Sequence, residues 1–354
     1  MMRPQLLNPA QLPAVFRKEY ELCAVKRGET IILLTNLNTR RDYVLAATAA
    51  AEDVGADIFE INLNRIADPS RVRREVGQAK GLMEALKCAD LILTFQPPNF
   101  ARWQKEARDA GARILSVIVA PDELARLQSP PGLKEAVLHA AERWGNAREI
   151  RLLSDAGTDL TWKRGEFKVK SQYGFAESKG RVDQWGAGHI TNYPDEGTAN
   201  GTVVLQPGDF FILPYIRLIE QPVRLEIRDG FIRKVEGSVD AKAFTHWLDR
   251  NKRSEDDLDP YAVSHLGFGM HPHAFWDHII LHGNEPDRMD SSARVFSGNF
   301  LFSTGPNNDM GGKRDTKGHI DTPMIDCTVL LDNEVVMERG KFTDPKLIVQ
   351  PAWG

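Results

Sequence analysis

The sequence lacks several features that mark special classes of protein. It contains only three cysteines, Cys23, Cys88 and Cys327. No two of them form a C-x-x-C pair, which argues against a zinc knuckle or a redox dithiol. Sparse, odd cysteine usage without a signal peptide is typical of a reducing cytoplasm, so we expect a cytoplasmic protein. No segment approaches the roughly 18 uncharged apolar residues that a membrane-spanning helix requires.

An excess of positive charge is also absent. The formal net charge is -4 and the isoelectric point is about 6.2. This balance gives no electrostatic reason to expect nucleic acid or an anionic membrane as a partner. The first strand-to-helix turn reads Thr35-Asn36-Leu37-Asn38-Thr39, without the G-x-G-x-x-G of a dinucleotide site, and no phosphate-binding P-loop motif is present. The sequence therefore predicts an N-terminal sheet that serves as a scaffold.

Strand and helix patterns alternate through the first 150 residues. Short apolar strands separated by helices predict a parallel sheet that is covered on both faces. The predicted strands span residues 30–35, 57–63, 90–94 and 113–119, and the predicted helices span residues 41–54, 70–89, 101–110 and 130–146.

The remainder of the chain has mainly strand patterns. Paired strands are predicted at 149–153 and 160–170, a further strand at 203–213, hairpins around Asp229-Gly230 and Asp332-Asn333, and one helix at 241–251. We therefore expect an α/β protein with two domains. Residues 1–148 form a parallel-sheet α/β scaffold domain, and residues 149–354 form a β-rich α+β domain that carries the catalytic site.

The nine histidines are unevenly distributed. Six of them lie in the last 90 residues: His265, His271, His273, His278, His282 and His319. His271-Pro272-His273 is a rival metal-binding pair, but its proline and neighbouring aromatic residues favour a packed loop. His278 and His282 have the spacing of one helix face but lack the H-E-x-x-H signature. His139 and His246, on predicted helices, are interpreted as structural.

The pair His319-x-Asp321 has a more specific pattern. Side chains two apart on an extended backbone point to the same side. With His265 as a second imidazole, the set provides two nitrogens and one carboxylate on one face of a divalent iron, which leaves the opposite face open for substrate and dioxygen. Taken alone, a His-x-Asp sequence is more typical of an exposed strand pair than of a metal site.

Four ordered segments make the sequence recognisable. They are residues 264–270, which read SHLGFGM, residues 298–307, which read GNFLFSTGPN, residues 311–314, which read GGKR, and the His319-x-Asp321 pair. Together they resemble the signature of the 2,5-dihydroxypyridine 5,6-dioxygenases of bacterial nicotinate degradation. A weaker resemblance continues through the rest of the chain. That family is in turn distantly similar to metallopeptidases of the aminopeptidase T type.

The resemblance implies a mononuclear non-haem Fe(II) enzyme. Residues His265, His319 and Asp321 match the positions that hold the iron. The implied reaction opens a hydroxylated pyridine ring and incorporates both oxygen atoms of O2. The resemblance also implies a homo-oligomer whose partners are a small aromatic substrate and O2.

The sequence departs from the family pattern in the substrate pocket. Phe100 and Gln184 stand where the family has histidines, and Gln172 stands where it has a glutamate. Phenylalanine and glutamine cannot transfer protons near neutral pH. We therefore expect an altered pocket and a shifted substrate, such as another dihydroxylated ring, although an unchanged substrate remains open. His189, five residues after Gln184, is a candidate for the missing base.

Two further residues are candidates for the catalytic site. Ser303 has a hydroxyl that can donate to a ring substituent. Arg294 can pair with a substrate oxyanion or carboxylate, and a structural ion pair is an equally good interpretation.

A metalloaminopeptidase-like hydrolase is the alternative function. That chemistry usually requires two metal ions and bridging carboxylates. The segment Pro194-Asp195-Glu196-Gly197 resembles an acidic loop that supplies a metal ligand in those peptidases, although a solvated turn has the same composition. The region around His265 and His319 has few acidic residues, so the dioxygenase is the preferred interpretation.

Overall fold

The structure is a computed structural model that describes residues 8–63, 80–95, 102–212, 216–278, 280 and 291–351. The predicted Phe100 and His282 positions, and the first ten residues of the predicted helix 70–89, lie outside these ranges. The chain divides into two compact units, one of Met1–Ser129 with Tyr173–Ala187 and one of Pro130–Gln172 with Gly188–Gly354. The expected domain boundary at residue 148 stays a prediction.

Twenty strands and eight α-helices are described. The strands are β1 Thr30–Thr35, β2 Asp57–Asn62, β3 Leu91–Thr94, β4 Arg113–Ser116, β5 Glu149–Ser154, β6 Asp159–Lys163, β7 Lys170–Gln172, β8 Val182–Gln184, β9 His189–Asn192, β10 Asn200–Leu205, β11 Phe210–Phe211, β12 Arg217–Leu218, β13 Val223–Arg228, β14 Phe231–Gly237, β15 Val263–Gly269, β16 Phe300–Thr304, β17 Asp321–Met324, β18 Cys327–Leu331, β19 Glu334–Glu338 and β20 Lys341–Phe342. The helices are α1 Leu12–Leu22, α2 Arg41–Val54, α3 Lys80–Lys87, α4 Arg102–Asp109, α5 Pro121–Arg126, α6 Leu133–Asn146, α7 Val239–Arg250 and α8 Ser291–Val295. None of these described helices is both long enough and apolar enough to cross a membrane.

The first unit contains the predicted parallel sheet. Its strand order is β2-β1-β3-β4-β8, and every pairing is parallel. Strands β1, β3 and β4 are almost entirely buried because they are short apolar runs with helices packed against them. Helix α2 ends where predicted, at Gly55, whose φ of 73° is in the left-handed region that favours glycine. The observed fold confirms the α/β prediction. The short edge strand β8 was not predicted.

The second unit contains an eight-stranded antiparallel sheet. Its order is β14-β13-β10-β6-β5-β18-β19-β20. Alternating burial along β13 indicates one face on the core and one face in solvent. The two predicted hairpin turns are present, because Asp229 and Gly230, and likewise Asp332 and Asn333, all have positive φ. The predicted strand 203–213 is wrong as a continuous element, since β10 ends at Leu205 and β11 begins at Phe210.

A second antiparallel sheet of this unit has the order β17-β16-β15-β9-β7. Every residue of β9, β15, β16 and β17 is buried. Small residues permit close approach of the strands here. A Cβ atom on Gly267 of β15 would lie 1.8 Å from the carbonyl oxygen of Ile190 on β9. This sheet carries the residues that the sequence predicted as metal ligands.

The pairing of β15 with β16 contains an irregularity beside His265. Val263 pairs with Thr304 and Leu266 pairs with Phe302, so three steps along β15 match two steps along β16. The shift is a β-bulge, in which the extra residue locally interrupts the ladder and redirects a side chain. The bulged residues are Ser264 and His265.

Candidate metal centre

Three adjacent strands bring the predicted ligands together. His265 lies on the bulged part of β15, Asp321 begins β17, and His319 precedes Asp321 by two residues. Strand β16 lies between β15 and β17, and its Ser303 pairs with Asp321. The ligand atoms of His265, His319 and Asp321 all lie within 4.8 Å of one another. The structure therefore assembles the triad that the sequence predicted.

The ligand atoms of the three side chains lie close to one another. The Oδ1 atom of Asp321 lies 3.1 Å from Nε2 of His265 and 3.4 Å from Nε2 of His319. Nevertheless, Nε2 of His265 and both carboxylate oxygens of Asp321 are buried and have no hydrogen-bond partner among the described residues. Buried polar atoms without partners destabilise a fold by about 1–3 kcal/mol each. The arrangement fits a divalent metal ion that all three side chains would share.

One hydrogen bond fixes the tautomer of His319. Its Nδ1 lies 2.7 Å from the carbonyl oxygen of Thr304. A carbonyl oxygen only accepts, so Nδ1 carries the hydrogen and donates it. The lone pair is then on Nε2, the atom that faces Asp321. A histidine ligand held by its second ring nitrogen is the usual arrangement at metal sites.

Electrostatics favours the protonation states that a metal requires. Burial, the largest effect, lowers the pKa of His265 and outweighs the opposite effect of the neighbouring Asp321. Burial raises the pKa of Asp321, but the nearby His319, His265 and Arg294 together outweigh it and hold the pKa below its usual range. Metal ligands must be neutral imidazole and ionised carboxylate. The site therefore presents its ligands ready for a cation.

Two other predicted site residues lie beside the triad. Nη1 of Arg294 is 3.8 Å from Oδ2 of Asp321, and its Nε has no hydrogen-bond partner among the described residues. His189 is buried on β9, and neither of its ring nitrogens is hydrogen-bonded within the described ranges. Burial, followed by the charges of Arg294 and Lys170, lowers the pKa of His189 well below its usual value. His189 is therefore a neutral imidazole near neutral pH.

The remaining predicted residues have different surroundings. Ser303 is buried, and its Oγ donates to the carbonyl oxygen of His265 at 2.7 Å. Gln172 is buried on β7 and pairs in register with His189. Gln184 is on β8 of the first unit, and Phe100 is outside the described ranges. The roles assigned to these four residues stay predictions.

The rival pair His271 and His273 finds no support, and His278 with His282 stays untested because His282 lies outside the described ranges. Nδ1 of His271 accepts from the backbone nitrogen of His273, consistent with a packed loop. His139 pairs with Asp344 at 2.8 Å. Across the part of the chain that the structure describes, only His265, His319 and Asp321 form a group of three or more His, Cys, Asp or Glu residues with metal-ligand spacing.

The acidic loop makes different contacts from those of a bridging ligand. Oε1 of Glu196 accepts from Nδ2 of Asn307 at 3.0 Å and pairs with Nη1 of Arg314 at 3.3 Å. The side chain of Glu196 is 55% exposed. The carboxylate of Glu196 is therefore bound by Asn307 and Arg314 in this structure. Sequence reasoning identified the segment with Arg314 as part of a signature but missed the function of that arginine.

The sequence profile of the NicX family, described as 2,5-dihydroxypyridine 5,6-dioxygenase, matches residues 11–344. The chain belongs to this dioxygenase family. The curated 2,5-dihydroxypyridine 5,6-dioxygenase of Pseudomonas putida is 32% identical over 349 residues, which is 96% of this chain and 98% of the relative. Membership of the NicX family confirms the expectation of a ring-cleaving dioxygenase.

Solved structures support the same assignment. The 2,5-dihydroxypyridine dioxygenase of Pseudomonas putida superimposes with a TM-score of 0.90 at 30% identity, covering 96% of this chain and 99% of that one. AmpT from Thermus thermophilus superimposes with a TM-score of 0.63 at 14% identity, covering 95% and 99% of the two chains. The second match shows the fold alone and confirms the distant similarity that the sequence predicted for the NicX family.

Proposed function

We propose that this member of the NicX family opens the ring of 2,5-dihydroxypyridine, or of a related dihydroxylated aromatic compound, with O2 and one Fe(II). His265, His319 and Asp321 would hold the iron. The observation that carries the proposal is the convergence of these three side chains. His265 and Asp321 are buried, and Nε2 of His265 and both carboxylate oxygens of Asp321 have no hydrogen-bond partner in the described ranges.

The donor set is one that Fe(II) uses, and the dioxygenase family makes iron the proposed metal. Non-haem Fe(II) oxygenases bind iron by two imidazoles and one carboxylate, and the opposite coordination positions stay open. Bound Fe(II) would supply the redox chemistry and the coordination positions for O2 and a substrate hydroxyl. The protein would contribute the orientation of its ligands, and the bond from His319 Nδ1 to the Thr304 carbonyl supports that role.

Arg294 and His189 are the side chains proposed to bind charge and to transfer protons. Arg294 carries a charge beside Asp321 and has an Nε without a partner in the described ranges, so it can bind an anionic oxygen of the substrate. Neutral His189 has one ring nitrogen with a hydrogen and one with a lone pair. It can therefore accept a proton from a substrate hydroxyl and release it later.

The other proposed residues concern the substrate. Gln172 is adjacent to His189 in the sheet and would donate or accept a hydrogen bond without transferring a proton. Ser303 would contact a substituent of the substrate ring through its hydroxyl group. In this structure the hydroxyl donates to the His265 carbonyl. Phe100 and Gln184 stay predicted substrate-binding residues. Phe100, Gln184 and Gln172 replace ionisable side chains of the family pattern. We therefore propose a shifted substrate preference. A role in nicotinate degradation, a homo-oligomeric state and a cytoplasmic location remain predictions.

Oxygen uptake tests the proposed function. Protein reconstituted anaerobically with Fe(II) would be mixed with 2,5-dihydroxypyridine and with a small panel of dihydroxylated pyridines and benzenes. We expect substrate-dependent O2 consumption with at least one ring and none with the His319→Ala variant. Uptake with 2,5-dihydroxypyridine would show that Gln172, Gln184 and Phe100 are tolerated, and uptake only with another ring would support the shifted preference. Iron-loaded protein that consumes no O2 with any of these rings would contradict the proposal.

A further inference from the structure

The bulge at Ser264 and His265 interrupts the regular pairing of β15 with β16. Two side chains donate to backbone carbonyl groups at and beside this bulge. Ser303 Oγ donates to the carbonyl of His265 at 2.7 Å, and Nη2 of Arg314 donates to the carbonyl of Val263 at 3.2 Å. The conformation that presents His265 therefore depends on side-chain donors from elsewhere in the chain.

Arg314 also holds the segment that orients His319. Its Nε donates to the carbonyl of Gly305 at 3.2 Å. Gly305 directly follows Thr304, whose carbonyl accepts from Nδ1 of His319. The guanidinium of Arg314 thus bonds to Val263, two residues before His265, and to Gly305, the residue after the acceptor of His319. It links the backbone segments that carry the two histidines.

A second set of contacts fixes the position of Arg314 itself. Its backbone nitrogen donates to Oδ1 of Asn307 at 2.9 Å, and the backbone nitrogen of Asn307 donates to the carbonyl of Arg314 at 3.1 Å. These bonds close the loop between β16 and His319. Glu196 then accepts from both Asn307 and Arg314. The side chain of Arg314 is only 13% exposed, so this carboxylate balances a largely buried cation.

We propose that Arg314 is a positioning residue that sets the metal affinity of the site by fixing the backbone of both histidine ligands, with Glu196 and Asn307 holding it in place. The inference rests on the proposed metal site. It assigns a function to two motifs, the acidic loop and the Gly-Gly-Lys-Arg segment, whose functions the sequence left open. Arg314 acts through carbonyl groups, because its described hydrogen bonds involve none of the three ligand side chains.

Metal affinity measured without turnover tests the inference. Apo-protein would be titrated with Co(II) in competition with a chromophoric chelator, and the visible absorption of bound Co(II) would report its coordination. Loss of a partner that orients a metal ligand typically weakens binding about 10–100-fold, so we expect that range for Arg314→Gln. Arg314→Lys keeps the charge but cannot reach three acceptors with a planar fork, so its loss should be intermediate.

Two control variants test whether the effect of Arg314 is specific. Arg143→Gln controls for a general loss of protein stability, and Glu196→Gln controls for the loss of the carboxylate charge that pairs with Arg314. Arg143 is a matched control, because it is ion-paired with Asp344 and Glu334 and its side chain is 21% exposed. Arg143→Gln should lower thermal stability without changing Co(II) affinity or absorption. Glu196→Gln keeps an oxygen that can accept from Asn307 and Arg314, so its effect on affinity should be smaller than that of Arg314→Gln.

Wild-type Co(II) affinity and absorption in folded Arg314→Gln would overturn the inference, as would an equal loss of affinity in Arg143→Gln. If Arg314→Gln does not fold, Arg314→Lys decides in the same way. Failure of the metal site itself has a separate signature. Wild-type protein and His319→Ala would then bind Co(II) equally, whatever the Arg314 variants do.

Discussion

At the scale of single residues, His319 and Asp321 should be needed for metal retention but not for folding. The lone pair on Nε2 of His319 and the unpartnered oxygens of Asp321 face the same point in the described structure. Because loss of an outer partner alone costs about 10–100-fold in affinity, removing a ligand should cost more than about 100-fold. We expect His319→Ala and Asp321→Ala to lose most bound iron, measured as metal per chain after desalting, with unchanged circular dichroism.

His246→Ala is the control for that experiment, since His246 is an exposed histidine on α7. It should retain iron as the wild-type protein does. Full iron occupancy in both His319→Ala and Asp321→Ala would show that the ligand assignment is wrong.

The proximity of His319 and Asp321 could be expected from sequence, whereas the contacts of Arg314 could not. His319 and Asp321 are two apart, and an extended backbone places such side chains on one side. Arg314 bonds to a carbonyl 51 positions away and to a carboxylate 118 positions away. Contacts of that separation depend on the strand order and on the bulge, and neither is encoded in a local pattern.

At the scale of the sheet that carries the site, Gly267 should tolerate no side chain. A Cβ there would lie 1.8 Å from the Ile190 carbonyl oxygen, a distance that only separation of β15 from β9 can relieve. Overpacking and lost ladder bonds typically cost about 1–3 kcal/mol, and more where backbone must move. We expect Gly267→Ala to lower the thermal midpoint clearly and to weaken metal binding, since β15 carries His265.

Gly81→Ala provides the matched control. Gly81 lies in α3, and a Cβ on it would meet no described atom within 4 Å apart from its chain neighbours and its own helix. Alanine is favoured over glycine in a helix by about 0.5–1 kcal/mol, so this variant should be as stable as the wild-type protein or slightly more stable. A Gly267→Ala protein with wild-type thermal stability would contradict the close approach of the strands.

The attachment of the segment after β20 to α6 should depend on pH. Burial opposes ionisation of Asp344, but hydrogen bonds from His139, Lys346 and Arg143 lower its pKa to about 2. A lowered pKa means stabilisation that is present above the unfolded pKa, near 4, and is lost as pH falls through about 2. We expect Asp344→Asn to be less stable than the wild-type protein by on the order of 1 kcal/mol at pH 7.

Urea unfolding at several pH values measures this effect. The stability difference between wild type and Asp344→Asn should shrink as the pH falls from about 4 to about 2. Asp326→Asn is the control, because Asp326 also lies on the second unit but has no ion pair among those of the described residues. A difference that is constant between pH 7 and pH 2 would exclude ionised Asp344 as the stabilising group.

Elements with a strong local signal were predicted accurately. Strand β1 is a continuous apolar run, α2 ends at a glycine, and both hairpins turn at residues that tolerate positive φ. Strand β8 has three residues and belongs to the parallel sheet only through its pairing with β4, so no local pattern marks it. Helix α1 had a usable signal that was overlooked, namely buried Leu12, Phe16, Glu19 and Tyr20 on one face.

At the scale of the whole molecule, the fold depends on residues along nearly the whole chain, whereas the reaction depends on a few side chains. The NicX profile spans residues 11–344, and AmpT has a similar fold at 14% identity. A shared fold at that identity does not imply a shared reaction. The distinction rests on a few side chains, because a mononuclear site needs the triad and a dinuclear hydrolase needs bridging carboxylates as well. Within the described ranges, Glu196 is engaged by Asn307 and Arg314, which favours the mononuclear site.

The whole molecule should become more stable when the metal binds. The proposed ligands come from β15, β17 and the segment between β16 and β17, so metal binding would require the folded sheet and would stabilise it by mass action. At a free metal concentration 100 times the Kd, the gain is about 2.7 kcal/mol, which for a protein of this size raises the thermal midpoint by roughly several degrees. We expect Fe(II) under anaerobic conditions, and Co(II), to produce this rise in differential scanning calorimetry.

Magnesium distinguishes a specific site from a general effect of divalent charge. Mg²⁺ prefers oxygen ligands, and two of the three donors here are imidazole nitrogens, so Mg²⁺ at the same concentration should leave the midpoint nearly unchanged. His319→Ala should remove the rise caused by Fe(II) and Co(II). Equal rises with Mg²⁺ and Co(II), or a rise that survives in His319→Ala, would mean that cations stabilise the fold elsewhere than at the triad.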